Sequence, residues 1–170
     1  PELFVRRSVA NNLNDIAKDN PEIVVEVLNR WSKIDNPGTQ WIIKHAARTL
    51  IKDGHTEVLA LLGYPPDVDI QISDFTVDEK VKEGEKLSFS FQLTSREKKP
   101  VNLMIDYLVH FMKANGEQKP KVFKLAKKEL APGESMDFKK MQSFRPISTR
   151  VYYPGAHAIE IQVNGKQLAK

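Results

Sequence analysis

Arg7, Asn11 and Asp15 recur at spacings of four near the start of the chain, which places them on one face of a helix. A carboxylate in line with a guanidinium and an amide can oppose a developing positive charge or hold a water for attack. The same stripe is also an ordinary solvated helix face with an i,i+4 charge arrangement, and the spacing alone leaves both readings open. A second chemical signal lies in the last third, where KPKVFKLAKKEL and SFRPISTRVYYPG interleave Lys and Arg with aromatics. Residues 98–170 hold 14 Lys and Arg against 6 Asp and Glu, whereas residues 65–97 hold 4 against 8. Such a one-sided basic field concentrates polyanions, and neutralised phosphates release counterions, so nucleic acid is the first partner to expect. Lysines that keep edge strands soluble would produce the same composition.

Most enzyme classes fall away by their missing motifs. The sequence contains no Walker loop, no Gly-rich dinucleotide fingerprint, no HExxH and no GxSxG. His45, His55, His110 and His157 have no ligand-like spacing, so neither a metal nor a cofactor is expected, and His45 falls between packing positions as a structural residue. There are no cysteines, which excludes disulfides and thiolate chemistry and suits a reducing compartment. No apolar run approaches the ~18 residues of a membrane span, and the expected location is cytoplasmic.

The elements that must position these residues fall into two halves. Val5, Val9, Leu13 and Ile16 give a first helix its apolar face. Asp19-Asn20-Pro21-Glu22 restarts the chain with Asn20 as N-cap, and Ile23, Val24, Val27, Leu28 and Trp31 line a second helix. Thr39 is expected to cap a third, running through Ile42, Ile43, Ala46, Ala47, Leu50 and Ile51 to Gly54. A short fourth runs from about Thr56 to Leu62. Lys18-Asp19 returns as Lys52-Asp53, a shift of 34 residues that also carries Val9 to Ile43, Ile16 to Leu50 and Val24 to Val58. That period marks stacked helix pairs. Two copies are fewer than the roughly three such arrays need, and the chain starts inside a helical pattern, so it is expected to be a piece of a longer protein.

Beyond the stiff linker Tyr64-Pro65-Pro66-Asp67 the apolar period changes to two, as in Leu87, Phe89, Phe91 and Leu93, then in Val101 to Phe111. Further strands are expected near Ile70–Val77, Lys121–Ala126, Ser135–Met141 and Ala156–Val163, with a hairpin at Asn164-Gly165. The expected fold is α+β and multidomain. Residues 1–64 form a HEAT-like α-solenoid fragment of two helical hairpins, and residues 65–170 an immunoglobulin-like β-sandwich. Arg145 and Arg150 flank a polar, turn-prone segment, and with Lys121 they are the sandwich residues expected to bind DNA. One of Tyr152 and Tyr153 is a candidate buried corner tyrosine.

FVRRSVANNLNDIAKDNPEIVVEVLNRW, WIIKHAARTLIKDGHTEVLALLGY and SFRPISTRVYYPGAHAIEIQVNG, in that order, closely resemble the C-terminal part of the AlkC-type DNA alkylation repair proteins. The resemblance implies a 3-methyladenine DNA glycosylase whose repeats cradle double-stranded DNA with alkylated purines, the sandwich adding grip. A monomer is expected, active as the full-length parent, and the helical start with only two units predicts an inactive fragment. Asp15, in the segment matching the family's repeat motif, is the implied catalytic carboxylate, and Arg6, Arg7, Asn11, Lys44 and Arg48 the DNA contacts of the repeats. Two other readings stand beside it: a scaffold of helical repeats and sandwich that binds proteins, and a DNA-binding relative without catalysis.

Overall fold

Asn36 starts the third helix, and it does so with its side chain. Its Oδ1 accepts from the backbone N–H of Gly38 at 2.9 Å and of Thr39 at 3.1 Å, and Pro37 occupies the first helical position. Thr39, the expected cap, is therefore one of the residues being capped. The computed structural model describes residues 2–148 and 151–169, and the chain divides into two compact units: Pro1–Pro66 with Asn164–Lys166, and Asp67–Val163 with Gln167–Lys170.

The first unit holds five helices: α1 (Leu3–Ile16), α2 (Pro21–Ser32), α3 (Pro37–Ala46), α4 (Arg48–Lys52) and α5 (Thr56–Leu61). First helices of the two pairs pack together, α1 on α3, and α2 packs on α5. The core between them contains Ala10, Val24, Leu28, Ile43, Ala46, Leu50, Val58 and Leu59. On α1 the buried positions are Ala10, Asn14 and Ala17, one step round from the expected stripe. Val5 is exposed, and Val9, Leu13 and Ile16 are half-buried, because small residues at 10 and 17 let α1 approach α3 closely.

The expected third helix is two helices, broken at Ala47. In an uninterrupted helix the N–H of Thr49 would donate to the C=O of His45. Here the buried Asn14 side chain takes the Thr49 N–H at 3.1 Å, and the Arg48 guanidinium donates to the His45 carbonyl, also at 3.1 Å. Gly54, at φ 73°, closes α4 in the left-handed conformation.

The second unit is a sandwich of a three-stranded sheet, β1-β2-β5, and a four-stranded sheet, β4-β3-β6-β7, antiparallel wherever register is resolved. Its strands are β1 (Ile70–Val77), β2 (Lys86–Ser95), β3 (Val101–Met112), β4 (Gln118–Leu130), β5 (Ser135–Ser143), β6 (Ala158–Val163) and β7 (Lys166–Ala169). Inward residues of both sheets, among them Phe89, Phe91, Leu93, Leu103, Ile105, Tyr107, Val109 and Ile161, make the core. β2 keeps the alternation its sequence shows, but β3 is buried on both faces: Met104, Asp106 and Leu108 are as enclosed as the inward set. It is the central strand, paired with β4 on one side and β6 on the other. Asn164 and Gly165 both have positive φ, at 47° and 82°, as a two-residue hairpin turn demands.

Candidate functional site

The polar stripe of α1 meets its counterpart on the second helix pair. The 34-residue shift that relates the pairs carries Arg7 to Trp41, Asn11 to His45 and Asn14 to Arg48. Arg7, Asn11, Trp41, His45 and Arg48, with Ala10 as floor, line a cleft of about 360 Å3 in the helical unit. Two of these related pairs, Arg7 with Trp41 and Asn11 with His45, thus line one cleft.

Inside the cleft the aromatic groups are held firmly. The rings of Trp41 and His45 stack with centroids 3.6 Å apart and planes 17° from parallel. His45 Nδ1 lies 2.8 Å from the Trp41 carbonyl oxygen, which can only accept, so Nδ1 carries a proton and donates. The Arg6 guanidinium sits over the Trp41 ring at 5.4 Å, and its buried Nε has no acceptor. Arg6 is therefore half-buried and engaged with an aromatic face. His45, expected as a structural residue between packing positions, also lines the cleft. The repeat shift applied to the polar stripe would have found it, since that shift turns Arg7 and Asn11 into Trp41 and His45.

Asp15 lies one turn beyond Asn11 and is absent from the cleft lining. Its exposed carboxylate accepts from Lys18 Nζ at 2.7 Å. The Lys18 hydrogen bond and charge, reinforced more weakly by Arg48, hold its carboxyl below the usual carboxylate range, so it is ionised at neutral pH. Lys44 is exposed on α3. The structure thus brings Arg7, Asn11 and Arg48 together, leaves Asp15 and Lys44 outside the cleft, and engages Arg6 with Trp41.

On the sandwich, Lys121 is exposed on the edge strand β4 with its ammonium 5.7 Å from the centre of the Phe123 ring. Arg145 is exposed just past β5, and Arg150 lies outside the described residues. Of the two corner-tyrosine candidates Tyr152 is half-buried rather than buried: it packs on Phe111 and Phe144, and its hydroxyl donates to the Ser143 carbonyl at 3.4 Å, whereas Tyr153 is exposed. A larger cavity, about 920 Å3, opens among Phe75, Val81, Leu87, Val109, Phe144 and Ile159. Its lining is mostly apolar, with three carboxylates, Asp78, Glu79 and Glu85, two lysines, Lys80 and Lys82, and His157 also contributing. Chemistry is better served by the smaller cleft. Among the described residues no group of three or more His, Cys, Asp or Glu is placed to hold a metal ion, and no helix is long and apolar enough to cross a membrane.

Residues 71–170 match the family described as "Uncharacterised protein YhaZ, C-terminal Ig-like domain". The chain belongs to the YhaZ family. It is 41% identical over 165 residues to YhaZ of Bacillus subtilis (strain 168), a match covering 96% of this chain and 45% of that protein. Among solved structures it is similar to the Pseudomonas fluorescens alkylpurine DNA glycosylase AlkC bound to DNA containing an abasic site analog. That likeness has a TM-score of 0.92 and 39% identity over 99% of this chain and 47% of the other. The AlkC-type resemblance therefore extends over helices and sandwich alike. A beta-glucosidase from Listeria innocua in complex with gluconolactone reaches a TM-score of 0.50 at 14% identity over 61% of this chain and 16% of that one, a likeness of fold alone. The chain spans less than half the length of the YhaZ and AlkC relatives it matches.

Proposed function

We propose that the chain is part of a DNA glycosylase that excises cationic alkylated purines such as 3-methyladenine in base excision repair. The observation that carries this reading is the likeness to AlkC, whose DNA holds an analog of the abasic product, together with a cleft lined by two guanidiniums at the matched helices. The helical unit acts as two HEAT-like repeats whose Arg7, Asn11 and Arg48 face the duplex. The sandwich grips DNA through Lys121, Arg145 and Arg150. The protein works as a monomer in the cytoplasm and needs neither metal nor cofactor.

The chemistry asks little of the protein. An N3-alkylated purine already carries positive charge, so its glycosidic electrons leave with the base and no general acid is required. What must be stabilised is an oxocarbenium-like sugar, which gains from any oriented negative charge. Asp15, ionised and one helical turn beyond Asn11, supplies that charge from outside the cleft lining. Arg7 and Arg48 hold the flanking phosphates.

The test is release of 3-methyladenine from methylated duplex by the full-length protein, beside duplex affinity at several salt concentrations. Release of free base with affinity falling steeply in salt is expected. Salt-insensitive binding without release would favour a protein-binding scaffold, and salt-sensitive binding without release a non-catalytic relative.

A further inference from the structure

When water completes the hydrolysis, a proton must go somewhere. Cationic nucleoside and water become a neutral base, a sugar hydroxyl and one proton, and the departing base has no need of it. Of the side chains lining the cleft, Arg7 and Arg48 are cations, Asn11 is an amide, and Trp41 and Ala10 are not bases. His45 is the one lining residue whose side chain can act as a base.

Its orientation is set on three sides. Nδ1 donates to the Trp41 carbonyl at 2.8 Å, the ring lies flat on Trp41 at 3.6 Å, and Arg48 is bonded to the His45 carbonyl behind it. In the neutral ring this leaves the lone pair on Nε2, which makes no hydrogen bond in the structure and is not among the buried unpartnered atoms. Asp15, the carboxylate of the α1 stripe, is outside the lining and occupied by Lys18.

Resting on the glycosylase reading above, we propose that His45 is the general base: its Nε2 takes a proton from the water whose oxygen bonds to the anomeric carbon. The water O–H bond breaks as the C–O bond forms, the glycosidic pair having left with the purine, and the imidazolium returns its proton to solvent. Asn11 orients the water, while the two guanidiniums keep the sugar in place through its flanking phosphates. Because an oxocarbenium is itself a strong electrophile, the contribution belongs at the low end of general-base catalysis, about 100-fold.

The experiment uses the full-length protein and a duplex containing 3-methyladenine, read as single-turnover excision rate against pH, beside affinity for a duplex with an abasic-site analog. His45→Asn can still donate to the Trp41 carbonyl but has no basic atom at the Nε2 position. Excision should fall about 100-fold while affinity changes less than about threefold, and the loss of rate on acidification seen in the wild type should disappear. His45→Gln, which can orient a water but not take its proton, should behave alike and serves if the first variant is poorly folded. Wild-type excision in either folded variant overturns the assignment. So does parallel loss of affinity and rate with an unchanged pH profile, which is the mark of a structural residue. A wild type that binds the duplex and releases no base overturns the glycosylase reading itself, a result distinct from either of these.

Discussion

Asn14 Oδ1 accepts the backbone N–H of Thr49 at 3.1 Å, joining α1 to the first turn of α4 from a fully enclosed position. This one bond explains the break at Ala47, since the N–H it captures is the one that would have continued the α3 ladder to the His45 carbonyl. It also places Arg48, which bonds that freed carbonyl, beside the cleft.

Asn14→Ala should therefore destabilise the helical unit by about 1–3 kcal/mol, the cost of leaving a partly buried N–H unsatisfied. Chemical denaturation of the 170-residue chain measures it. Asn14→Leu should cost at least as much despite its greater apolar area, because the partly buried N–H of Thr49 would still lack its acceptor.

In the full-length protein Asp15→Asn should slow excision by about tenfold with little change in duplex affinity. A water-excluded electrostatic group is worth ~100- to 1,000-fold, and Asp15 falls below that because it is exposed and paired with Lys18. Single-turnover rates on 3-methyladenine duplex provide the check, and an unchanged rate would make the carboxylate part of a solvated helix face.

Lys121→Ala combined with Arg145→Ala should weaken duplex binding uniformly across sequences and reduce the slope of log affinity against log salt by up to ~2. Both side chains are exposed, so the thermal midpoint should hardly move. Fluorescence titration at several salt concentrations tests both statements. Equal slopes in wild type and variant would remove these residues from the interface.

Asp106 is enclosed on the outer face of β3, and burial pushes its carboxyl from 3.8 up to about 6, against the opposing pull of Lys124 and Lys127. A carboxyl that titrates higher in the folded state than in the unfolded one binds more protons when folded between those two values. Stability consequently falls as pH rises from about 4 through 6 and levels off above. Asp106→Asn should remove this component and raise neutral-pH stability by up to about 3 kcal/mol, at ~1.4 kcal/mol per pH unit. The thermal midpoints of the two proteins should meet near pH 4 and diverge towards pH 7.

His110 Nε2 and Glu160 Oε2, 2.6 Å apart across β3 and β6, form an enclosed hydrogen-bonded pair on the same strand face. Glu160→Ala should be markedly destabilising, because it strands an imidazole that is mostly enclosed. Glu160→Gln, which keeps a hydrogen-bond acceptor, should recover part of the loss. Thermal melts of the three proteins at pH 6 and pH 8 make the comparison.

Periodicity within one element was legible from the residues themselves. The alternation of Leu87, Phe89, Phe91 and Leu93, the Asn164-Gly165 turn and the helix restart at Pro21 all follow from backbone geometry that neighbouring residues set locally. The 34-residue recurrence likewise made the two helix pairs visible, and the AlkC-type segments carried the family. Tertiary structure alone decided which faces meet. Asn14 reads as one more polar residue beside Asp15 until α1 lies on α3, and only then does it become a buried acceptor that splits a helix. His45 reads as a structural residue between packing positions until the cleft brings it, with Trp41, beside Arg7 and Asn11. Asp15 and Asn11 look equivalent along the stripe, yet one turn of helix, with Lys18 three residues on, is enough to put one in the cleft and the other in solvent. The reason is physical: spacing along a helix sets which residues share a face, whereas a site needs two faces from distant segments, and their approach is set by the small residues Ala10 and Ala17 that let the helices close.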